Sequence, residues 1–448
     1  MNELPLQLII KRIPEKQTET LTCTALLREI AGRRQVYTGL WNNKDVIVKI
    51  FSHKIRAKQH LKREWRGLNL LRSRGLNCPE ALFYGKTKNN KWVLVTEKIA
   101  NSSTVLELFS TAKNKEEKLN LLMQVGGELA KQHKDGVLQK DLHLGNFLLA
   151  ENKIFALDFA QMRFYPTEIP RKKSISQLAL LECYLSDDRM DAAEKLREEY
   201  ALGRKWQLNE QDKTSLQKWL ILHRKKGIRN ELKKCLRTSK RYVRVKTGNY
   251  VAVTDKNFCG AIKLSTLIKQ VDMLMNKGQP FKDGNTCYVS RISWNNKDIV
   301  VKRYNHKGMF HSLCHTIKRS RARRCWVNGH RLLMLGISTP KPLAFIEEYR
   351  GPFVWKSYII TEYVCGQKLC DFLRNNPAEQ ERAEITKQVK QLLGKLWKHH
   401  ITHGDLKHSN ILITDNGPVL TDLDSVQIHK LHPFFKKNQK KDVERLGL

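Results

Sequence analysis

The sequence predicts an α+β fold with two tandem domains, each made of an antiparallel β-sheet lobe followed by a mostly helical lobe. The main observation is a loop motif that occurs twice, as QKDLHLGN in the first half and as HGDLKHSN in the second. A second observation is a repeated hairpin motif, WNNKD, which both halves continue with an apolar strand that contains a lysine. Because the period of the repeat is that of a whole domain, we expect the 448 residues to form two related domains.

The composition indicates a folded and strongly basic chain. Hydrophobic residues make up 41% of the sequence and charged residues 28%, which is typical of globular rather than disordered proteins. The 82 lysines and arginines outnumber the 44 acidic residues, and the formal net charge is +38. This charge indicates an anionic partner: a phosphorylated substrate, an acidic membrane surface or a nucleic acid. No basic motif is interleaved with aromatic residues, so a nucleic acid has the least support.

The sequence gives no sign of a membrane span or of a metal or disulfide framework. Its apolar runs are shorter than the ~20 residues of a spanning helix, and we expect no signal peptide. The ten cysteines are scattered without a CxxC pair, which favours reduced cysteines in the core. His311 and His315 are one helical turn apart but lack a third metal ligand. We therefore expect a cytoplasmic protein that charge holds at a membrane surface.

The first repeated element is a β-hairpin, predicted over residues 36–51 and again over 289–304. In each copy an Asn-Asn turn joins two β-rich strands, and the second strand contains Lys49 or Lys302. A lysine at this place holds the α- and β-phosphates of ATP in kinases, whereas a lysine on an edge strand is usually only solvated. The matched pair favours nucleotide binding. Residues 1–20 give no strong signal and are expected to be a polar lead-in.

A helix is predicted after the first hairpin, over about residues 54–74, with apolar residues on one face. Glu64 lies on this helix, 15 positions after Lys49. We expect these two residues to form the lysine–glutamate ion pair of active kinases, which would fix the lysine against the nucleotide. The alternative is that Glu64 is an ordinary surface glutamate.

The corresponding helix of the second half has a different charge pattern. Cys325 replaces the glutamate, and no acidic residue occurs between Arg303 and Ile346. Lys302 must therefore be held in another way. About eight additional residues precede this helix, and residues 318–324 form a basic patch that no neighbouring acidic residue offsets.

A β-rich strand that ends in Thr-Glu follows each helix, as VLVTEKI in the first half and YIITEYV in the second. This pattern suits the strand that leads into a hinge between two lobes. Backbone groups just after Glu97 and Glu362 are therefore expected to receive the adenine of ATP. Further helices, predicted over about residues 115–134 and 377–399, lead into the repeated loop motif.

The repeated loop contains the residues expected to perform the chemistry. An aspartate, an asparagine five positions later and a second aspartate about a dozen positions after that have the spacing of the catalytic and metal loops of protein-kinase-like phosphotransferases. The first aspartate would orient or deprotonate an attacking hydroxyl, and the other two residues would hold Mg²⁺ on ATP. Lys407 could neutralise charge on the moving phosphoryl group. A chance match is the alternative, and the second copy argues against it. The residues are Asp141, Asn146 and Asp158 in the first copy and Asp405, Asn410 and Asp422 in the second.

The helical lobes of the two halves differ in length. A long stretch with helical patterns follows Asp158, whereas only 26 residues follow Asp422, so the second helical lobe is expected to be short. A basic junction over residues 224–246 separates the halves, and the predicted domains are 1–238 and 239–448. The helical patterns after the first metal aspartate lie near residues 174–186, 189–201 and 210–223.

Together these motifs resemble the lipopolysaccharide kinase family, which includes Kdo and heptose kinases and is related to protein kinases. The second half is the more similar, through SWNNKDIVVKRYNHKG, HGDLKHSNILI and TDLDSV; the first half matches through VIVKIF, DLHLGN and ALDFAQ. The resemblance implies tandem protein-kinase-like bilobal domains. It also implies that an arginine-rich helix without the glutamate is compatible with activity, so Cys325 need not mark an inactive site.

The resemblance implies a kinase that uses ATP and Mg²⁺ to phosphorylate a sugar hydroxyl, on heptose or Kdo, of the lipopolysaccharide core or another lipid A-linked acceptor. The protein would act at the cytoplasmic face of the inner membrane, peripherally bound to its anionic surface. Lys140 and Gly404 replace the arginine that precedes the catalytic aspartate in regulated protein kinases, which favours a constitutive enzyme. The alternatives are a protein or small-metabolite kinase and a non-catalytic pseudokinase scaffold in envelope assembly.

Overall fold

The computed structural model describes residues 4–30, 32–53, 55–185, 190–305 and 319–447. The chain divides into two compact units, Met1–Lys225 and Lys226–Leu448. The division falls inside a helix, whereas the sequence places the domain boundary at residue 238 because of the basic composition there. His311, His315 and Lys318, which belong to the insertion in the second half, lie outside the described residues.

The sheet lobe of the first unit is an antiparallel barrel. Its strands are β1 (Leu6–Arg12), β2 (Thr18–Ile30), β3 (Arg34–Trp41), β4 (Lys44–Phe51), β5 (Ala81–Thr87) and β6 (Trp92–Glu97). They pair in the order β1-β2-β3-β4-β6-β5, and the pairing of β1 with β5 closes the barrel. The expectation of a polar lead-in is therefore wrong. Because only Ile10 of β1 is fully buried, the apolar pattern of this strand is too weak to recognise in the sequence.

Both predicted hairpins are present. In the first unit β3 and β4 pair around Asn42 and Asn43, whose φ angles are 48° and 60°. In the second unit the turn residues Asn295 and Asn296 have φ angles of 49° and 58°. Positive φ at both central positions matches the twist of the flanking strands, and asparagine tolerates this conformation better than most residues. The turn residues thus set the register that places the two strand lysines.

The helical lobe of the first unit follows the barrel and has its own apolar core. The predicted helices are confirmed, but the last one continues through the basic junction to Lys234 instead of ending near residue 223. The elements are α1 (Ala57–Ser73), which precedes β5, then β7 (Ser103–Thr104), α2 (Val105–Thr111), α3 (Lys115–Lys134), β8 (Val137–Gln139), β9 (Phe147–Ala150), β10 (Lys153–Ala156), β11 (Met162–Phe164), α4 (Arg171–Glu182), α5 (Met190–Arg204) and α6 (Glu210–Lys234).

The sheet lobe of the second unit is an open antiparallel sheet with a helix packed on it. The helix buries Leu264, Leu267 and Val271 against the sheet, at the spacing of one helical face. The elements are β12 (Tyr242–Thr247), β13 (Tyr250–Asp255), α7 (Ala261–Lys277), β14 (Gln279–Gly284), β15 (Cys287–Trp294), β16 (Lys297–Tyr304), α8 (Arg321–Met334), β17 (Pro342–Arg350) and β18 (Phe353–Glu362). The strand order is β12-β13-β17-β18-β16-β15-β14.

The helical lobe of the second unit follows its open sheet. After the metal loop the described chain, which ends at residue 447, contains one more strand and one more helix. The elements are β19 (Gln367–Lys368), α9 (Leu369–Arg374), α10 (Glu379–Lys398), β20 (Ile401–Thr402), β21 (Ile411–Thr414), β22 (Gly417–Leu420), β23 (Gln427–Ile428) and α11 (His432–Leu446). Over the described part of the whole chain, helices are too short or too polar to cross a membrane.

Candidate active sites

The strand lysine of the first unit lies beside the predicted glutamate. Lys49 Nζ is 3.2 Å from Glu64 Oε2, and Glu64 is only 1% exposed. Arg34 contacts the other carboxylate oxygen of Glu64 at 3.0 Å. The predicted ion pair is therefore present. The sequence did not lead us to expect Arg34 as a second cationic partner of Glu64. The available indication is its position in the hairpin, because Arg34 pairs with Phe51, which follows Lys49 by two residues.

In the second unit the strand lysine is held by the predicted metal loop, the segment that contains Asp422; the corresponding loop of the first unit contains Asp158. Lys302 Nζ donates to Asp422 Oδ1. Burial alone would lower the pKa of Lys302, but the Asp422 carboxylate more than offsets this effect and the pKa is raised. Burial would raise the pKa of Asp422, and the ammonium group instead holds it below its ordinary value. Both groups are therefore charged at neutral pH, and an aspartate on another element replaces the helix carboxylate.

Cys325 occupies the place of the glutamate and acts as a core residue. Its Sγ lies 3.3 Å from the Tyr304 hydroxyl, inside the main apolar core of the second unit. Burial, reinforced by the nearby Asp424 carboxylate, raises the pKa of Cys325 to about 12, so the thiol stays protonated. The ammonium group of Lys302 lies over the Tyr304 ring, 5.1 Å from its centroid. Cys325 thus belongs to the surroundings of the strand lysine but provides no charge to hold it.

Helix α8 is joined to the metal loop at two points. Arg321 Nε donates to Asp424 Oδ2 at 2.5 Å. Two turns later Asn328 Nδ2 donates to the carbonyl oxygen of Leu423 at 2.9 Å. The expectation that the basic patch has no acidic neighbour is therefore wrong for Arg321. Its partner is 103 positions away in the sequence, which is why inspection of the local sequence does not find it.

The first unit joins its helix α1 to the metal loop by a close backbone contact. A Cβ atom on Gly67 would lie 2.5 Å from the carbonyl oxygen of Phe159, so a larger residue does not fit without movement. By the offsets of the repeat, Gly67 corresponds to Asn328 and Phe159 to Leu423. The corresponding carbonyl oxygen thus lies against the backbone of a glycine in the first unit and accepts a hydrogen bond from an asparagine amide in the second.

The two predicted catalytic loops have the same internal hydrogen bonds. Asn146 Nδ2 donates to the carbonyl oxygen of Asp141 at 2.8 Å, and Asn410 Nδ2 donates to that of Asp405 at 2.8 Å. The backbone N–H of each asparagine also donates, at 2.9 Å, to the carbonyl oxygen of the residue three positions before it. The asparagine therefore closes each loop, and its use of Nδ2 as the donor leaves Oδ1 as the atom suited to a metal ion.

The predicted metal aspartates share an uncommon backbone conformation. Asp158 has φ 59° and ψ 56°, and Asp422 has φ 59° and ψ 57°. The residue before each aspartate donates its N–H to the carbonyl oxygen of the loop asparagine, at 2.8 Å in the first unit and 2.9 Å in the second. A left-handed conformation at a non-glycine residue costs free energy and is typical of functional sites. Each loop thus brings one asparagine and one aspartate together.

These residues fit a magnesium ion. Mg²⁺ prefers oxygen ligands and usually keeps several water molecules, so one or two protein oxygens beside the phosphates of a nucleotide are enough. In the first unit the ligands would be Asn146 Oδ1 and the Asp158 carboxylate. In the second they would be Asn410 Oδ1 and the Asp422 carboxylate. Their use as ligands stays a prediction.

The surroundings of the catalytic aspartates differ between the units. Lys407 Nζ lies 2.9 Å from Asp405 Oδ1, and Arg445 contributes a second cationic group at 3.9 Å. In the first unit His143 takes the place of the lysine, and its Nε2 is 3.9 Å from Asp141 Oδ2. The second site therefore concentrates more fixed positive charge at the point where a phosphoryl group would be transferred.

Helix α11 holds the catalytic loop of the second unit. The buried carboxylate of Asp442 accepts the N–H of His403 at 2.7 Å and that of Gly404 at 3.0 Å. Arg445 donates to the carbonyl oxygen of Gly404. Burial raises the pKa of Asp442 above its ordinary value. Sequence reasoning missed this helix as part of the site, and the available signal is one aspartate within a lysine-rich segment, KKNQKKDVERL.

The predicted hinge glutamates are engaged within the sheet lobes. Glu97 Oε2 accepts the N–H of Glu80 at 3.1 Å, and Glu362 Oε1 accepts that of Lys341 at 2.9 Å. The N–H of the residue just after each glutamate donates to a carbonyl oxygen of the hairpin, at 3.2 Å in both units. The glutamates thus fix the end of the strand, and in each unit the N–H of the next residue already has a hydrogen-bond partner. Adenine binding at this place stays a prediction.

The known proteins that match parts of the chain include a protein-complex subunit and a kinase of known structure. The EKC/KEOPS complex subunit BUD32 of Debaryomyces hansenii is 32% identical over 101 residues. This match covers 21% of the chain and 38% of the relative, so it spans well under half of the relative's length. The crystal structure of a rhoptry kinase from Toxoplasma gondii covers 49% of this chain and 86% of its own, with 14% sequence identity and a TM-score of 0.35.

The family comparison covers most of both units. A model of the lipopolysaccharide kinase (Kdo/WaaP) family matches residues 13–216 and 271–447. These ranges contain both repeated hairpins, both catalytic loops and both metal loops. The resemblance and the α+β kinase-like bilobal fold predicted from the sequence are confirmed. The chain therefore belongs to the lipopolysaccharide kinase (Kdo/WaaP) family and is a phosphotransferase.

Proposed function

We propose that the protein transfers the γ-phosphoryl group of ATP to a sugar hydroxyl of the lipopolysaccharide core, on heptose or Kdo or another lipid A-linked acceptor. The observation that carries the proposal is the matched pair of catalytic loops in a chain of this family. In each loop the asparagine amide donates to the carbonyl oxygen of the aspartate five positions before it, at 2.8 Å. The proposal treats residues 1–238 and 239–448 as tandem kinase domains.

In the first unit each predicted site residue has a separate task. Asp141 orients the acceptor hydroxyl and accepts its proton, as the loop aspartate does in protein kinases. Lys49, fixed by Glu64, holds the phosphates of ATP. When bound by Asn146 and Asp158, Mg²⁺ would neutralise charge on the β- and γ-phosphates. Phosphoryl transfer requires a protein mainly to position the reactants and to stabilise the charge on the transferred group, and these residues would do both.

The second unit would perform the same reaction with more cationic support. Asp405 is the hydroxyl-orienting residue, and Lys407 beside it would stabilise charge on the transferred group. Lys302 is the nucleotide lysine, and Asn410 with Asp422 is the magnesium pair. The contact between Lys302 and Asp422 also supports a second candidate for this unit, a pseudokinase that helps to assemble the active first unit, because each residue already neutralises the other.

The proposed place of action is the cytoplasmic face of the inner membrane, where the protein would be bound peripherally. The net charge of +38 supports this part of the proposal. Exposed lysines and arginines near an anionic lipid surface each contribute about 1 kcal/mol to binding at physiological ionic strength. The basic segments 224–246 and 318–324 are candidates for contacts with an acceptor that already has anionic groups.

The acceptor class can be tested with the purified full-length chain. We would incubate it with labelled ATP, Mg²⁺ and one of three acceptors: lipopolysaccharide core oligosaccharide, a generic unfolded protein, or free sugars. We expect label in the oligosaccharide and little in the other two. Label mainly in the protein or in free sugars would contradict the acceptor. Label in none of them would favour a non-catalytic role for the residues assigned here.

A further inference from the structure

The segment between the metal loop and the end of helix α11 exposes apolar side chains among lysines. Ile428, Leu431 and Phe434 are exposed by 47%, 60% and 60%, and they fall within seven consecutive residues. Isolated exposed apolar residues are common on protein surfaces, but a cluster of large ones usually marks an interaction site. The next residue, Phe435, shows that the chain can bury an aromatic ring here, because it is 4% exposed and stacks on His400.

The charges around this cluster all have one sign. Residues 425–441 contain no aspartate or glutamate. The segment has five lysines, and all of them are exposed: Lys430, Lys436, Lys437, Lys440 and Lys441. The nearest acidic residues along the chain are Asp424, which is buried and paired with Arg321, Asp442, which is buried against the catalytic loop, and Glu444, which lies 3.9 Å from Lys440. The cluster and its lysines therefore suit a partner that is both anionic and apolar.

Helix α11 places Phe434 and four of the lysines away from its buried residues, whereas Ile428, Lys430 and Leu431 precede the helix. Phe435, Asp442 and Leu446 point into the unit, at the spacing of one helical face. Phe434, Lys437 and Lys441 follow one another at intervals of three and four residues, so they lie along one exposed side. An exposed phenylalanine beside lysines on one side of a helix is typical of helices that lie in the interface of an anionic bilayer.

We propose that Ile428–Lys441 is the membrane-docking surface of the second unit and that its partner is an anionic lipid bilayer. A second copy of the chain fits this surface less well, because a symmetric contact would bring the same five lysines against each other. The inference deepens the proposed function and rests on it only for the nature of the acceptor. The expected binding to lipid depends only on the exposed apolar residues and lysines of this surface and not on the proposed reaction.

The same helix connects this surface to the catalytic loop. Asp442 accepts two backbone N–H groups of the loop, and Arg445 lies 3.9 Å from Asp405. Docking of α11 on a bilayer would therefore bring Asp405 to the lipid surface, where the sugars of a lipid-anchored acceptor are found.

Vesicle binding by the full-length chain tests the docking surface without any assumption about catalysis. We would measure sedimentation with vesicles of phosphatidylcholine, with and without phosphatidylglycerol, at rising salt. We expect binding to the anionic vesicles that weakens with salt, because screening shortens the reach of exposed charge. The double variant Lys437→Gln, Lys441→Gln should raise the lipid concentration at which half of the protein is bound about 30-fold. Phe434→Ser should raise it about tenfold.

A matched control uses another exposed apolar residue and two lysines of the same unit. Ile262 is 85% exposed at the start of α7, with Lys263 and Lys269 on the same helix. Ile262→Ser with Lys263→Gln and Lys269→Gln should leave vesicle binding unchanged. Equal losses in control and test variants, or no loss in either, would overturn the assignment of the surface. So would an oligomer of the wild type, detected by light scattering, that the Phe434→Ser variant no longer forms.

A second measurement separates failure of the docking surface from failure of the proposed function. Transfer to lipopolysaccharide embedded in vesicles is compared with transfer to the free core oligosaccharide. We expect Phe434→Ser to lower the ratio of embedded to free transfer about tenfold, in parallel with its loss of vesicle binding. An unchanged ratio would contradict docking through α11, whereas absence of transfer to both acceptors in the wild type would contradict only the proposed function.

Discussion

The two strand lysines, Lys49 and Lys302, are held in place by different residues in the two units. Lys49 is held by a buried glutamate on a helix, which Arg34 also contacts. Lys302 has an aspartate of the metal loop as its partner instead. In both cases the ammonium group is largely buried and paired, because an unpaired charge in such a place would cost several kcal/mol.

The different partners predict different effects of substitution at one helix position. Glu64→Gln should raise the KM for ATP of the first unit by about tenfold or more, since hydrogen bonds to charged groups contribute about 1.5–3 kcal/mol. Cys325→Ala should change the KM of the second unit by less than about threefold, because no charge pair is lost there. Steady-state kinetics on each variant, with circular dichroism to check folding, gives the answer. Equal losses of ATP use from both substitutions would contradict the assignment of these positions.

A second prediction concerns the pair between α8 and the metal loop. Arg321→Gln or Asp424→Asn alone should lower transfer by the second unit at least about tenfold, because each leaves the other charge without its partner at a cost of about 3 kcal/mol. The double variant should recover much of the loss, since no uncompensated charge remains. Transfer and the KM for ATP would be measured with Asp141→Asn present, so that only the second unit is observed. Losses that simply add in the double variant would show that the residues act independently.

At the scale of helices and strands, the sequence predicts the elements whose formation depends mainly on neighbouring residues. The Asn-Asn turns and alternating strands predict both hairpins, and α1 and α3 lie within a few residues of their predicted ends. Strand β1 was missed because its burial depends on closing the barrel with β5. The part of α11 in the site was missed because Asp442 acquires its role only by folding against residues nearly 40 positions earlier.

Helix α3 offers a pH test at this scale. Burial raises the pKa of Glu128 to about 7. Glu128 accepts a hydrogen bond from Gln132, which in turn accepts one from Gln139, just before the catalytic loop of the first unit. A raised pKa means that folding favours the protonated carboxyl group. The protonated carboxyl group of Glu128 stabilises the fold fully below about pH 4.3, which is the pKa of a glutamate in the unfolded chain. This stabilisation is lost as the pH rises through about 7, the pKa of Glu128 in the folded protein.

Comparison with Glu128→Gln, which stays neutral, isolates this contribution. The Tm of the wild type should fall relative to that of the variant between about pH 4.5 and pH 7, corresponding to roughly 2–4 kcal/mol. Above about pH 8 the difference should be constant. Differential scanning calorimetry of both proteins over this range provides the measurement. A difference that does not vary with pH would mean that Glu128 titrates normally.

At the scale of the whole molecule, the two units contain the same set of loops and differ in the residues that surround them. Both units have the strand lysine, the loop aspartate predicted to be catalytic, the loop asparagine and the aspartate predicted to bind the metal ion, and both place this last aspartate in the same left-handed conformation. The second unit adds Lys407 and Arg445 near the catalytic aspartate and lacks the helix glutamate. The sequence predicts the shared set because its spacing repeats, but it does not predict partners that come from distant segments.

We predict that both units transfer phosphate and that their different surroundings select different hydroxyl groups. Asp141→Asn and Asp405→Asn test it most directly, because each substitution is nearly isosteric and removes only the basicity of one carboxylate. Each should lower transfer at its own site by about 10²–10⁴-fold, as expected for loss of a general base. The measurement is mass spectrometry of the phosphorylated product, position by position. We predict that each variant lacks a different phosphate; one variant without any product phosphate and the other identical to wild type would contradict the claim and show a single active unit.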